Sequence, residues 1–169
     1  DDLRRGLYLS ERSDMDLTPY RLGPGDPALP AVLTLIQSSF AFMDERIDPP
    51  SSMHKLTLGS LSEQAETGEI WGIGHPVQAC VFLTPKPGSV YLGKLAVAPN
   101  ARRQGLARRL IDLAATRAAD LRCSFVELQT RIELVENHAT FEALGFREVG
   151  RTAHPGYDHP TSITYRLNL

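Results

Sequence analysis

Cysteine is scarce in this chain: its 169 residues include two, Cys80 and Cys123, each inside an apolar run. That excludes a disulfide-stapled scaffold and leaves two buried, reduced thiols as the expectation. Long apolar stretches are missing too, and none approaches the ~20 residues that a membrane-spanning helix needs. No repeat period, internal linker or low-complexity segment divides the chain, which excludes solenoids and collagen-like rods. Neither GxGxxG nor GxxxxGK[ST] occurs, so a Rossmann dinucleotide site and a P-loop are both disfavoured. The net charge is small, -2 with pI near 6.2, which argues against a dedicated nucleic-acid binder. Residues 1–15 hold seven charges and no apolar segment, so they lack the pattern of a secretory signal. With reduced cysteines, this points to the cytoplasm. One further absence is local, since no acidic residue lies between Glu69 and Asp112.

What is present is enough apolar material for a core: 42% hydrophobic and 22% charged residues, with a mean hydropathy of -0.19. Residues 1–15 read as an N-terminal tail and 16–169 as a single domain. Asp16–Leu22 reads as a first strand, ended by the turn signal Gly23-Pro24-Gly25-Asp26-Pro27. Leu29, Val32, Leu33, Ile36 and Phe40 recur at helical spacing and predict a helix over 28–43. A second helix is expected over 53–66. The period then shortens, and residues 70–74, 77–84 and 89–97 read as an antiparallel meander. A long helix over 104–120 follows, with Leu106, Leu110, Leu113, Ala114 and Ala118 on its inner face. Residues 125–130 read as a strand, 136–144 as a short helix stopped by Gly145, and 146–153 with 162–169 as a final strand pair. This is an α+β order with one strand–helix–strand crossover in its middle.

The segment from Leu95 to Leu110 carries the strongest chemical signal. A strand ends, the chain turns at Pro99, and Arg102-Arg103-Gln104-Gly105-Leu106-Ala107-Arg108-Arg109 opens the long helix. A helix start offers unpaired N–H groups and a positive dipole end, both suited to phosphate. Gly105 and Ala107 keep side chains out of the way, and arginine presents a planar donor fork. Lys86, Lys94 and the four arginines give residues 70–111 their local surplus of +6, so the remainder of the chain carries -8. The alternative, a merely solvated basic face, is outweighed by the small-residue helix start that follows the strand.

Arg102-Arg103-Gln104-Gly105-Leu106-Ala107 fits [RQ]-x-x-G-x-[GA], preceded by Val97-Ala98-Pro99. Phe141-Glu142-Ala143-Leu144-Gly145-Phe146 is a short helix ending in Gly-Phe. With these two motifs the chain resembles the GNAT superfamily of N-acetyltransferases over residues 16–169. The resemblance implies a mixed, mostly antiparallel sheet of about seven strands flanked by about four helices, with one central β-α-β crossover. It also implies that two strands, 91–97 and 125–130, splay around the pantetheine arm of acetyl-CoA. The backbones of Leu95, Ala96 and Val97 would pair with the pantetheine amides, and a backbone N–H near Leu95 would polarise the thioester. N–H groups from Arg103 to Arg108, with Arg102, Gln104, Gly105, Leu106 and Ala107 around them, would hold the pyrophosphate. Asn137 and Phe141 would touch the cofactor from the short helix. The acceptor is an amine on a small molecule or a protein N-terminus, with no metal, nucleic acid or membrane involved, and homodimers occur in such families. The rival reading is an acyl-CoA-binding module without turnover.

Two departures from the family pattern bear on catalysis. The tyrosine that protonates the leaving thiolate would stand where this chain has Phe141, and the asparagine of many relatives stands where it has Leu134. Four residues are candidates for proton transfer. Tyr91 occupies the family's base position, but a phenol of ordinary pKa ≈ 10 is a poor base and a packed strand tyrosine reads as well. Glu127 is either a cleft-facing base or a solvated or paired carboxylate. His154 and Tyr157 lie in the last hairpin, which borders the acceptor side in related folds. His138 reads as an exposed helical histidine. His154, Asp158 and His159 read as loop structure rather than a metal site. Trp71, Phe40 and Phe42 read as core or pocket wall. Seven acidic residues between Asp26 and Glu69, against Arg46 and Lys55, suggest a cationic acceptor.

Overall fold

The structure is a computed structural model and describes residues 17–41 and 43–169. The proposed tail, Asp16 and Phe42 therefore lie outside the described residues. Seven strands form one sheet in the order β1-β2-β3-β4-β5-β7-β6: β1 Tyr20–Leu22, β2 Glu69–Ile73, β3 Ala79–Lys86, β4 Ser89–Val97, β5 Phe125–Arg131, β6 Arg147–Thr152 and β7 Ser162–Asn168. Four helices flank it: α1 Leu29–Ala41, α2 Leu58–Thr67, α3 Leu106–Asp120 and α4 Val135–Ala143. β4 and β5 are parallel, joined through α3, and every other neighbouring pair is antiparallel.

Two helix faces cover the two faces of the sheet. Leu106, Leu110, Ile111, Ala114 and Ala118 of α3 bury against Val81, Leu83, Val90, Leu92 and Val126. Their spacing is one stripe of a 3.6-residue period, which is why the sequence reads as a helix there. On the opposite face, Leu29, Val32, Leu35 and Ile36 of α1 and Leu61 and Ala65 of α2 pack on Leu22, Ile70, Cys80 and Phe82. Burial pushes the Cys80 thiol up to about 12, so it stays a neutral packing group. Cys123 is half-buried, and both cysteines are free.

Differences from the expected boundaries have local causes. The second helix divides in two, with a 3-10 turn at Ser52–Lys55 and α2 starting at Leu58. Thr57 is the reason: its side chain accepts from the Ser60 N–H at 3.1 Å while the Ser60 hydroxyl accepts from the Thr57 N–H at 2.8 Å, a reciprocal cap that starts a new helix. The first strand shortens to Tyr20–Leu22, because Pro19 before it has no N–H to give to a ladder. α3 starts at Leu106 rather than Gln104, since Arg103 and Gly105 hold positive φ of 65° and 74°. Gly145, at φ 100°, ends α4 as the sequence suggests.

One tie crosses between layers. Glu69 at the start of β2 is 3% exposed, and Arg117 of α3 grips it with Nε and Nη2, each at 2.9 Å. Trp71 Nε1 donates to the same carboxylate at 2.8 Å. Burial alone would raise the Glu69 pKa, yet these hydrogen bonds outweigh it and hold the carboxyl below its ordinary value.

Candidate active site

β4 and β5 begin side by side and then part. Ser89, Val90 and Tyr91 pair with Phe125, Val126 and Glu127, and no ladder pair joins the two strands beyond them. The remaining lengths, Leu92–Val97 and Leu128–Arg131, leave a wedge in the middle of the sheet. A β-bulge sharpens it. β3 pairs Cys80 with Ala96 and Phe82 with Gly93, so Lys94 and Leu95 together oppose Val81, and Lys94 sits at φ 50°. The extra residue inverts the side-chain alternation. Val90 and Leu92 face the α3 core, but Ala96 faces the α1 core beside Cys80. A bulge of this kind turns backbone N–H groups out of the ladder, toward the wedge.

A cavity of about 840 Å³ opens at this wedge. Of the candidate residues, Tyr91, Leu95, Asn137, Phe141 and His154 line it. Glu127 and Tyr157 are not among its lining residues; their side chains are engaged elsewhere. Glu127 Oε2 accepts from Arg166 Nε at 2.8 Å, the paired-carboxylate reading, and the Tyr157 hydroxyl donates to Asp48 Oδ1 at 2.6 Å. That bond raises the Tyr157 pKa above its ordinary value. Phe141 packs in a tilted cluster with Phe146 and Tyr165, at ring distances of 5.8 and 6.3 Å. Leu134 is buried with Met43 and Ile47, while Asn137 lines the cavity one turn further on. Phe40 is part of its wall; Trp71 belongs to the Glu69 tie instead.

The phosphate-type site lies where β4 hands over to α3. Arg102, Arg103, Gln104 and Gly105 are exposed, and α3 has no acidic residue in its first turn and no side-chain cap. Its first N–H groups therefore meet an anion with the full positive end of the helix behind them. Gly105 is needed for its left-handed backbone. A Cβ there would meet nothing within 4 Å, so φ rather than crowding selects glycine. Ala107 and Arg108 follow in the first turn of the helix, and Leu106 is buried beneath it.

The cavity contains charge that sequence reasoning assigned elsewhere or missed. Lys94 does not join the arginines. Its Nζ donates to Ser52 Oγ at 2.8 Å and lies 6.0 Å from the Phe40 ring, inside the cavity wall. Arg131, at the end of β5, lines the same space and donates through Nη2 to the Pro50 carbonyl at 3.1 Å. Burial and then Arg131 lower the Lys94 pKa. Lys86, the remaining lysine of the basic segment, sits 4.9 Å over the Tyr91 ring. Among the described residues the cavity is lined by Lys55, Lys94 and Arg131 and by no carboxylate. Three of the acidic residues behind the expectation of a cationic acceptor have structural partners. Asp26 Oδ1 caps the Ala28 N–H at 2.8 Å, Asp44 meets His54 Nε2 at 2.8 Å, and Glu69 is tied to Arg117. The only signal for Lys94 was its place in a strand next to a glycine, which does not reveal a bulge.

Proton-transfer groups differ in state. Burial, then the Glu127 carboxylate, raises the Tyr91 phenol above its ordinary value, against a smaller opposite pull from the Gln129 backbone. Burial, then Arg131, lowers the His154 imidazole below its ordinary 6.5. His154 N donates to Thr161 Oγ1 at 2.9 Å, and Nδ1 contacts the same oxygen. His138 ties α4 to β5 through Nε2 and the Arg131 carbonyl, 2.9 Å apart. His159 pairs with Asp158 at 2.9 Å, and no group of three or more His, Cys, Asp or Glu residues is placed to hold a metal among the described residues. No described helix is long and apolar enough to cross a membrane.

Comparison with known proteins agrees with this geometry. No curated protein matches the chain by sequence. Among solved structures, an acetyltransferase from Streptococcus agalactiae superposes with a TM-score of 0.70 at 17% identity, covering 90% of this chain and 98% of that one. The ribosomal-protein-S18-alanine N-acetyltransferase from Escherichia coli gives 0.65 at 23% identity, with 89% and 92% covered. A GNAT family acetyltransferase from Elizabethkingia anophelis with acetyl-CoA bound gives 0.64 at 16% identity, with 90% and 97% covered. These likenesses carry the fold. The model of the acetyltransferase (GNAT) family matches residues 39–146, well over half of the chain, and the protein belongs to that family.

Proposed function

We propose that the protein is an acetyl-CoA-dependent N-acetyltransferase that moves the acetyl group directly to an amine within a ternary complex. The observation that carries this reading is the wedge between β4 and β5. It begins beyond the Tyr91–Glu127 pair, is bent by the Lys94–Leu95 bulge, and leads at its far end to the anion-receptive start of α3. An extended diamide such as pantetheine fits the edge of Leu95, Ala96 and Val97 that β5 leaves without a ladder, as a substitute strand. Its pyrophosphate fits the N–H groups from Arg103 to Arg108 beside Arg102. Asn137 and Phe141 border the same arm from α4.

In the reaction the amine nitrogen attacks the thioester carbonyl, the C–S bond breaks, and the thiolate takes up a proton. Polarisation of the carbonyl falls to a backbone N–H of the bulge, near Leu95. His154 is the group best suited to take the amine proton, because its lowered pKa keeps it neutral and able to accept at neutral pH. With the Thr161 hydroxyl directed at the Thr152 carbonyl, 3.4 Å away, Nδ1 donates to Thr161 and Nε2 keeps the lone pair. Tyr91, its phenol held protonated, supplies the cavity with the donor that Phe141 lacks. Glu127 and Tyr157 act on these groups at a distance, through Tyr91 and through the Asp48 loop.

Phe141 favours one second reading, an acyl-CoA-binding module without turnover. Calorimetric titration with CoA and a free-thiol assay with acetyl-CoA and a broad amine panel separate the two. A transferase gives heat and amine-dependent thiol; heat without thiol across the panel overturns the transferase reading.

A further inference from the structure

Three cationic side chains line the cavity, Lys55, Lys94 and Arg131, and none has a carboxylate partner among the described residues. The polar partners of Lys94 Nζ and Arg131 Nη2 are the Ser52 hydroxyl and the Pro50 carbonyl. Arg131 Nη1 is buried and has no hydrogen-bond partner. The neighbouring acids have other partners: Asp44 Oδ2 meets His54 while its Oδ1 is buried without a hydrogen-bond partner, Asp48 accepts from Tyr157, Glu133 accepts from the Asp48 N–H at 2.9 Å, and Glu136 accepts from Arg46. Burial, and after it the Arg131 charge, lowers the Lys94 pKa. Two like charges beside an unfilled donor are a costly arrangement unless an anion completes it. The arginine fork, with one nitrogen held by the backbone and one unpaired, is shaped for a carboxylate. Next to the pair, Phe40, Met43, Ile47 and Phe82 give an apolar wall.

We propose that the acceptor amine carries a carboxylate, which Arg131 and Lys94 hold while its nitrogen approaches the wedge. The proposal rests on the transferase reading for the amine, but the anion site is testable without turnover. Two sources share this chemistry: the α-carboxylate of a free amino acid with an apolar side chain, and an acidic side chain near a peptide N-terminus.

The test is calorimetry on the protein saturated with CoA, using matched pairs: phenylalanine against phenethylamine, leucine against 3-methylbutylamine, and short peptides starting Ala-Asp against Ala-Asn. The carboxylated member of at least one set should bind about tenfold or more tighter, the scale of a charge-assisted hydrogen bond. The winning set identifies the source. Lys94→Met and Arg131→Met should each cut that ratio to within about threefold of unity. The ratio is read inside each variant, and the two substitutions back each other should one fail to fold. Equal or inverted preference, absence of binding by every carboxylated member, or a preference that survives both substitutions overturns the proposal. Carboxylate-dependent binding with no free thiol from acetyl-CoA upholds the anion site and refutes the transferase reading. Acetyl transfer confined to the decarboxylated amines does the opposite.

Discussion

His154 shows how one side chain acquires a role from its surroundings. An exposed imidazole is half protonated near pH 6.5, but burial and Arg131 disfavour the imidazolium here. As the proposed base, His154 works in its neutral form, so activity should hold at neutral pH and fall as pH drops through this lowered pKa. A kcat/KM profile should therefore show an acid limb with its midpoint below that of a free imidazole. His154→Gln should remove the limb and lower kcat by about 10²–10⁴-fold. Arg131→Met should move the midpoint upward, since it removes a cation. A limb that stays in place in His154→Gln assigns it to another group. The exposed helix start proposed to hold phosphate was legible because Gly105 and the arginines around it are adjacent in sequence. Lys94 was not, because a bulge is one inserted residue in a ladder and leaves no compositional trace. Arg131 was missed for a related reason: the end of a strand reveals its surroundings only when its neighbour strand turns away.

At the level of elements, period and caps carried most of the information. The inner stripe of α3 and the Gly-Phe end of α4 stand close to where they were expected. The division of the second helix turned on the Thr57–Ser60 reciprocal cap, a local hydrogen-bond choice that apolar spacing does not report. The tie between α3 and β2 is a matter of tertiary structure, since Glu69 and Arg117 meet only once the sheet is formed. Arg117→Met leaves the Glu69 carboxylate buried with Trp71 as its main partner, and should destabilise the protein by about 3 kcal/mol at neutral pH. The sign with pH follows from the lowered Glu69 pKa. Stabilisation is present at neutral pH and is lost as pH falls through the folded-state value. Urea denaturation of both proteins should thus give a gap that narrows in acid. A gap that is constant with pH would show that Arg117 contributes through packing alone.

Across the molecule, the two halves of the site are made of different material. The proposed cofactor half is mainly backbone: a helix start, a left-handed glycine and two strand edges left unpaired at the wedge. The proposed acceptor half is side chains from α1, the turns after it, β4, β5 and the last hairpin. Family resemblance is strong where backbone performs the work and silent about the acceptor, and acidic residues counted along the sequence do not report the charge that lines the cavity. The sheet also carries its discontinuity at its centre rather than at its rims. Without ligand, the amides of Leu92–Val97 and Leu128–Arg131 on the wedge side belong to no ladder, so this seam should open to solvent more readily than the β2–β3 pairing beside it. Hydrogen–deuterium exchange should then slow at these residues when CoA is added and stay level in β1 and β2. Uniform slowing over the whole sheet would refute this. In that sense the protein is folded one strand short, and on the proposed reading its substrate is the piece that finishes the sheet.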